Sequence, residues 1–420
     1  MRGFCVIIQN VYTCLKGSGV MSDKIFLKIL KAALHGEEFE STEVLSDEDV
    51  RKVFELASIH RVLPLILDRG YALVEDEEML SDLRRQSKLE VSCQALRTQS
   101  FLELYSNLCD SGFEPLVLKG FVCRSLYPFP DLRPSADEDL YVPAAQYSDC
   151  VKKLLELGFV NAGAYDENHY ENTFVNNDGF CVELHKALFP LSKDYYKKHN
   201  SLFEKAFDNA VCVSTENTCV RTLSATDHLL YLFLHSLKHF VRSGVGIRQV
   251  CDITLFIKAN AKDIDPGFVM QALESIGAEK YAQGILAICV NCLGLDAECA
   301  KAFGYTGSAE GFETHLLEDI LSAGIYGNAD RGRMHSASVT LKAVQGKKET
   351  LWRKAFPAAE AFDSRYAYGA KHRILVPVAW VHRWFDYLKE ASVKTGNTPK
   401  NSMQIGDRRV KLLSEYGLLK

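Results

Sequence analysis

The stretch from Leu116 to Val142, LVLKGFVCRSLYPFPDLRPSADEDLYV, constrains this chain more than any other. Leu116-Val117-Leu118 reads as a buried strand, Lys119-Gly120 ends it, and Phe121 to Tyr127 suits one short helix. A second strand then opens with two acids one residue apart, Asp137 and Asp139. Residues i and i+2 of a strand face the same way, so these carboxylates project side by side. Two such charges repel and raise one pKa unless a divalent cation such as Mg2+ neutralises them. A solvated acidic turn is the plainer reading, because Asp and Glu are normally exposed. The upstream pieces favour a nucleotide site instead. Gly120 lets backbone N–H groups approach a phosphate, the following helix offers its positive N-terminus, and Lys119 supplies a mobile point charge.

A third acid lies further along. Phe174-Val175 and Phe180 to Leu184 bracket Asn176-Asn177-Asp178-Gly179, a strong hairpin turn. The turn sets the phase of the second strand, so Glu183 and His185 share one face while Val182 and Leu184 point into the other layer. If that strand pairs beside Asp137 to Val142, Glu183 arrives at the acidic pair; otherwise it is a surface acid on an edge strand. His185 is expected as a hydrogen-bonding residue that could touch phosphate. Glu138, between the two acids, is expected to face away from the cation, with that side of the strand near solvent.

Leu118-Lys119-Gly120, Leu126-Tyr127-Pro128, Arg133-Pro134, the Asp137/Asp139 pair running into Leu140-Tyr141-Val142, Gly158-Phe159 and Val182-Glu183-Leu184-His185 together resemble the uncharacterised nucleotidyltransferase family of the DNA polymerase β-like superfamily. The likeness extends more weakly through His235, His239, Arg248 and Asp252 and spans roughly residues 25 to 260. It implies an α+β fold, a small mixed nucleotidyltransferase sheet with helices, flanked by N- and C-terminal helical regions. It also implies a two-metal nucleotidyltransferase in which Asp137, Asp139 and Glu183 are catalytic and hold Mg2+ (or Mn2+). Lys119, Gly120, Arg133 and His185 would serve the nucleotide, with Arg133 orienting it or bracing the acidic loop. NMP would pass from an NTP to an unidentified small-molecule or protein acceptor.

The pattern has departures. The wider superfamily places Gly-Ser after the first strand, where this chain has Lys119-Gly120; Ala136 precedes the first acid in place of a more usual Gly, and Glu138 stands where a hydrophobe often lies. A catalytically silent nucleotide-binding member is therefore the alternative function. A further alternative is a metal-dependent hydrolase centred on His235, His239 and Asp252, since His at i and i+4 on a helix is a common zinc arrangement, although no Glu follows the first His as in HExxH. His228, His235 and His239 fall near one face of a helix capped by Thr226 or Asp227, and with Arg248 and Asp252 they outline a possible pocket.

The 420 residues, 47% hydrophobic and 25% charged, suffice for two or three cores. A net charge of -5 argues against a broad nucleic-acid surface, so a polynucleotide is an unlikely partner. No stretch reaches the roughly 18 apolar residues of a membrane span. The 13 cysteines are scattered, which suits a reducing, cytoplasmic setting, and Cys289 and Cys292 read as helix-face cysteines rather than a zinc pair. Along the chain, residues 1–20 are expected to be a non-essential extension, 21–100 a helical N-terminal region, 101–215 the nucleotidyltransferase core and 216–420 a helical C-terminal region. Residues 82–112 suggest one long helix whose Arg84, Arg85 and Arg97 face solvent. Residues 327–349 read as a long loop near the cleft, and Leu375 to Lys389 as a segment packing back on the helical body.

Overall fold

The computed structural model describes residues 19–307 apart from positions 42, 164, 167–168, 192–193, 216–217 and 243, and then 314–324, 368, 375–382 and 399–419. Residues 1–18 of the expected extension, the loop at 327–349 and part of the segment 375–389, including Trp384, lie outside the described residues.

The described residues begin with three helices: α1 (Gly19–His35), α2 (Asp47–Ile59) and α3 (Leu63–Gly70). Ser46 caps α2 by accepting from the Asp49 backbone N–H, and its hydroxyl donates to the Asp49 carboxylate at 2.6 Å. The 34-residue α4 (Glu77–Asp110) begins where the Asp76 side chain takes the N–H groups of Glu78 and Met79. Its inner face, Phe101, Leu104, Tyr105 and Leu108, is buried against the core, while Arg84 and Arg85 are exposed. Arg97 is half-buried and donates to the Ser135 carbonyl at 2.7 Å, so it does not stand on a solvated face as expected.

A seven-stranded mixed sheet follows, ordered β3-β4-β5-β2-β1-β7-β6. Its strands are β1 (Leu116–Val117), β2 (Glu138–Tyr141), β3 (Val160–Asn161), β4 (Glu171–Val175), β5 (Cys181–His185), β6 (Val211–Thr215) and β7 (Thr218–Thr222). Helix α5 (Lys119–Arg124) joins β1 to the loop before β2, α6 (Tyr147–Glu156) joins β2 to β3, and α7 (Asp194–Ser201) lies between β5 and β6. The hairpin turn read from Asn176 to Gly179 forms: Gly179 takes φ +78°, and the Asn176 side chain accepts from the backbone N–H groups of Asp178 and Phe180. The central strand β2 pairs antiparallel with β1 and parallel with β5. The β6–β7 hairpin carries the sheet on to Thr222, because β7 pairs parallel with β1. Cys212 and Cys219 are bridged across that hairpin with a Cα–Cα distance of 5.8 Å. Antiparallel pairing brings together these two cysteines, which lie seven residues apart. Cys289 is a buried helix-face thiol, as expected, whereas Cys292 stands at the C-cap just past the helix Glu279–Asn291 and is half-buried.

Leu140, Val182 and Leu184 fill the apolar layer beneath the sheet, each 0% exposed. The other face of the same strands carries Asp139, Glu183 and His185. The C-terminal helices α8 (Ala225–Arg242), α9 (Ile247–Asn260), α10 (Pro266–Ser275) and α11 (Glu279–Asn291) follow, with α12 (Ala297–Lys301) and α13 (Thr314–Ala323) beyond. The cap of α8 is Ser224, which accepts from the Asp227 N–H at 3.1 Å, rather than Thr226 or Asp227. Among the described residues, no helix is long and apolar enough to cross a membrane.

His60 ties the N-terminal helices to α9 and α13. It is fully buried after α2; its Nε2 lies 3.1 Å from the Leu321 carbonyl of α13, and its Nδ1 accepts from the Ile247 N–H at 3.4 Å. Those partners need one N–H and one lone pair, which is the neutral ring. Burial pushes the His60 pKa down to about 4 against the opposing pull of Leu321, and burial pushes that of His228 down to about 3. The unfolded chain protonates these rings near pH 6.5, so below that value unfolding takes up protons and stability is lost as pH falls toward the folded pKa values. Each ring should cost about 2 kcal/mol by pH 5. Urea unfolding at pH 7 and pH 5 checks this: the midpoint should fall, and should fall less for His60→Gln than for the parent. Equal losses in both proteins would remove His60 from the account.

Candidate functional site

The loop between α5 and β2 is locked before any ligand is considered. Arg133 is buried and forks onto Asp252 of α9, Nε to Oδ1 at 2.7 Å and Nη2 to Oδ2 at 2.5 Å, while the Tyr127 hydroxyl donates to the same Oδ1 at 2.8 Å. Arg248 donates to the Pro134 carbonyl. The Leu118 N–H donates to the Asp139 carbonyl at 3.0 Å, pinning the end of β1 beside the acidic strand. Gly120 is buried, and a Cβ there would run into the Glu138 carboxylate. A close approach thus requires the glycine, but to an acid of the chain itself.

Glu138 points away from the Asp139 face, as alternation demands, yet it is 1% exposed and not near solvent. Its Oε1 accepts from Arg124 Nη1 at 2.9 Å and from the Ser135 hydroxyl at 3.0 Å. The sequence reading missed this because the partner that makes burial tolerable comes from α5.

On the polar face the ladder sets Asp139 opposite Glu183, and Tyr141 opposite His185. Across the hairpin, His185 lies opposite Glu171 and Glu183 opposite Thr173. Asp139 is 0% exposed; its Oδ1 meets Lys119 Nζ and His185 Nε2, each at 3.1 Å, while its Oδ2 is buried with no hydrogen-bond partner. His185 Nε2 also lies 3.7 Å from Glu183 Oε2. Asp139, Glu183 and His185 offer ligand atoms all within 4.8 Å of one another, the one such metal-ligating group among the described residues. Asp137 precedes β2 and is not part of that group.

The electrostatics show crowding of negative charge. Burial, then Asp139 and Asp137, push the Glu183 carboxyl up to about 7. Burial and then Asp139 raise Asp137. Burial also works against ionised Asp139, but Lys119 and the hydrogen bond from His185 overcome it and hold that carboxyl well below the usual range. His185 is raised because Asp139 and Glu171 outweigh the burial that disfavours its charged form. One face thus carries both firmly ionised and reluctantly ionised carboxylates.

Glu171 escaped the sequence reading. Its Oε2 lies 3.5 Å from His185 Nδ1, its Oε1 accepts from the Tyr170 hydroxyl, and Lys238 Nζ of α8 donates to that hydroxyl at 3.4 Å. The signal was present, since counting back from the hairpin turn puts Glu171 across from His185. Lys238 itself is buried on α8, and nothing in its helical spacing marks it.

His235 and His239 do reach this side of the sheet. His235 Nε2 lies 2.9 Å from Lys119 Nζ and 3.2 Å from His239 Nε2, and Gln249 approaches its Nδ1 at 3.4 Å. Burial disfavours the charged form of both rings, reinforced by Lys119 at His235 and by Lys238 at His239. His228 does not join them: its Nδ1 meets the Thr222 hydroxyl at 3.1 Å. Asp252 is committed to Arg133 and Tyr127, and among the described residues it forms no metal-ligating group with His235 and His239.

The family model described as an uncharacterised nucleotidyltransferase matches residues 46–294. Among solved structures, the crystal structure of an antigenic nucleotidyltransferase-like protein from Paracoccidioides brasiliensis is similar at 12% identity and a TM-score of 0.29, over 53% of this chain and 96% of that one. No curated protein gives a match. With more than half of its residues matched, including every strand of the sheet, the chain belongs to the uncharacterised nucleotidyltransferase family.

Proposed function

We propose that this protein is a divalent-cation-dependent nucleotidyltransferase that moves NMP from an NTP to a small-molecule or protein acceptor. One observation carries the proposal: Asp139 and Glu183 are register partners on one face of the parallel β2–β5 ladder, and Asp139 keeps a buried oxygen without a partner. A cation fits there, because it would satisfy that oxygen and offset the burial and repulsion that lift Glu183 and Asp137. Asp137, Asp139 and Glu183 would hold Mg2+ or Mn2+, which would activate the acceptor oxygen and neutralise the departing pyrophosphate. Lys119, on the same face, would hold the triphosphate, and Gly120 keeps the start of α5 close to β2. Arg133 would brace the acidic loop through its Nε–Nη2 edge, which is spent on Asp252, while its Nη1 is buried with no hydrogen-bond partner. His235 and His239 would line the wall beside Lys119.

The second reading, a silent nucleotide binder, draws support from Lys119, whose ammonium already balances Asp139 where a cation would sit. A screen of the purified protein with Mg2+ or Mn2+ and each labelled NTP separates the two. Transfer predicts pyrophosphate release with an NMP adduct on the protein or an added acceptor. NTP binding without pyrophosphate favours the silent member, and no NTP binding sinks both.

Lys119→Met gives a sharper expectation. The Lys119 side chain is 13% exposed and faces a buried carboxylate, so in chelator the variant should lose about 3 kcal/mol of stability. Mn2+ should restore more stability to the variant than to the parent, because a competing charge is gone, while NTP affinity should fall about tenfold. Denaturation with and without Mn2+, plus nucleotide titration, checks all three. An unchanged NTP affinity would leave Lys119 a purely structural counter-charge.

A further inference from the structure

We infer that His185 supplies a nitrogen ligand to the cation site, with Glu171 as the positioning residue behind it, so that the site favours a first-row transition cation such as Mn2+ over Mg2+. The inference rests on the cation-binding reading above and goes beyond the three carboxylates. His185 Nε2 faces the gap between two carboxylates, 3.1 Å from Asp139 Oδ1 and 3.7 Å from Glu183 Oε2. The ring is 1% exposed, so Nε2 has no water-facing alternative. Its other nitrogen, Nδ1, faces Glu171 Oε2 at 3.5 Å, and both atoms are buried with no hydrogen-bond partner of their own, so a small shift of Glu171 would close the bond.

A ligating histidine typically has a carboxylate behind it that takes the second ring N–H and fixes the tautomer. Glu171 stands in that place, and it is held there: the Tyr170 hydroxyl donates to its other oxygen, and Lys238 donates to Tyr170. A bound cation would take the place of the Nε2 proton that Asp139 now accepts, and with Nδ1–H kept toward Glu171 the freed Nε2 lone pair faces the gap. Two carboxylate oxygens and an imidazole nitrogen form a mixed donor set. Hard Mg2+ prefers oxygen, whereas first-row transition cations accept imidazole. The ladder makes the set, because Glu171 and His185 are register partners one row along from Asp139 and Glu183.

The test is electron paramagnetic resonance of the full chain titrated with Mn2+, with spin-echo detection of nitrogen couplings, alongside Mn2+ and Mg2+ affinities. The parent should bind Mn2+ more tightly than Mg2+ and show imidazole nitrogen couplings. His185→Gln should remove the couplings and weaken Mn2+ at least tenfold with little change for Mg2+. Glu171→Gln should keep the couplings and weaken Mn2+ about tenfold. Bound Mn2+ without nitrogen couplings, or couplings that survive in His185→Gln, would overturn the inference and leave the carboxylate site standing. No cation binding by the parent would bring down the cation-dependent reading as well. If His185→Gln does not fold, the double variant His235→Gln/His239→Gln decides: persisting couplings support His185, and their disappearance overturns it.

Discussion

Asp139→Asn is expected to cut nucleotidyl transfer by about a thousandfold or more while the protein still folds. Asn has nearly the same shape, so Leu140 and the ladder on either side keep their packing. What disappears is the carboxylate held ionised between β2 and β5, the charge that Lys119 and His185 share. Glu183 cannot fully replace it. Without Asp139 its own pKa should drop, since Asp139 is the largest electrostatic cause of its elevation, but its position one strand over is unchanged. Pyrophosphate release, measured with circular dichroism on the same sample, gives the answer. Wild-type turnover in a folded Asp139→Asn protein would sink the site.

The largest stability effect is expected at the buried Arg124–Glu138 pair. Their side chains are 2% and 1% exposed, and Glu138 lies in the layer of Leu140, Val182 and Leu184. Arg124→Met leaves the buried Glu138 carboxylate with the Ser135 hydroxyl but without its counter-charge and should cost about 3 to 5 kcal/mol. The double change Arg124→Met/Glu138→Leu removes both charges and should recover most of that loss, since an apolar pair of similar volume often matches a buried ion pair. Urea unfolding of the parent, both single variants and the double variant closes the cycle. A single-variant loss below about 1 kcal/mol would show that Glu138 finds another partner or water.

Much of the site could be read from local rules. The Asn176 to Gly179 turn and strict alternation put Glu183 and His185 on one face, and that face does meet Asp139. Strand β1, Lys119-Gly120 and α5 stand in the order that hydrophobic runs and glycine punctuation suggest. Alternation says which way a residue points but not what waits there, so it turned Glu138 away from Asp139 and then placed it in solvent. Only the contact with Arg124 shows why an acid can be buried. Longer-range partners lay further out of reach: Lys119 meets His235 across 116 residues, and Arg133 meets Asp252 across 119. No spacing rule links such positions, because helix packing and not the local backbone brings them together.

The parallel pairing of β2 with β5 also makes the site a clasp on the topology. A parallel neighbour cannot be reached by a tight turn, and here the chain passes through α6, β3 and β4 before β5 arrives. Asp139 and His185, 46 residues apart, meet only when that whole excursion has closed. A cation bound between the two strands would therefore add its binding free energy to a long-range closure, about 2.7 kcal/mol at a hundredfold excess over its Kd. Resistance to unfolding, followed against cation concentration, then ranks ions and site variants on one scale, and does so before any acceptor has been found.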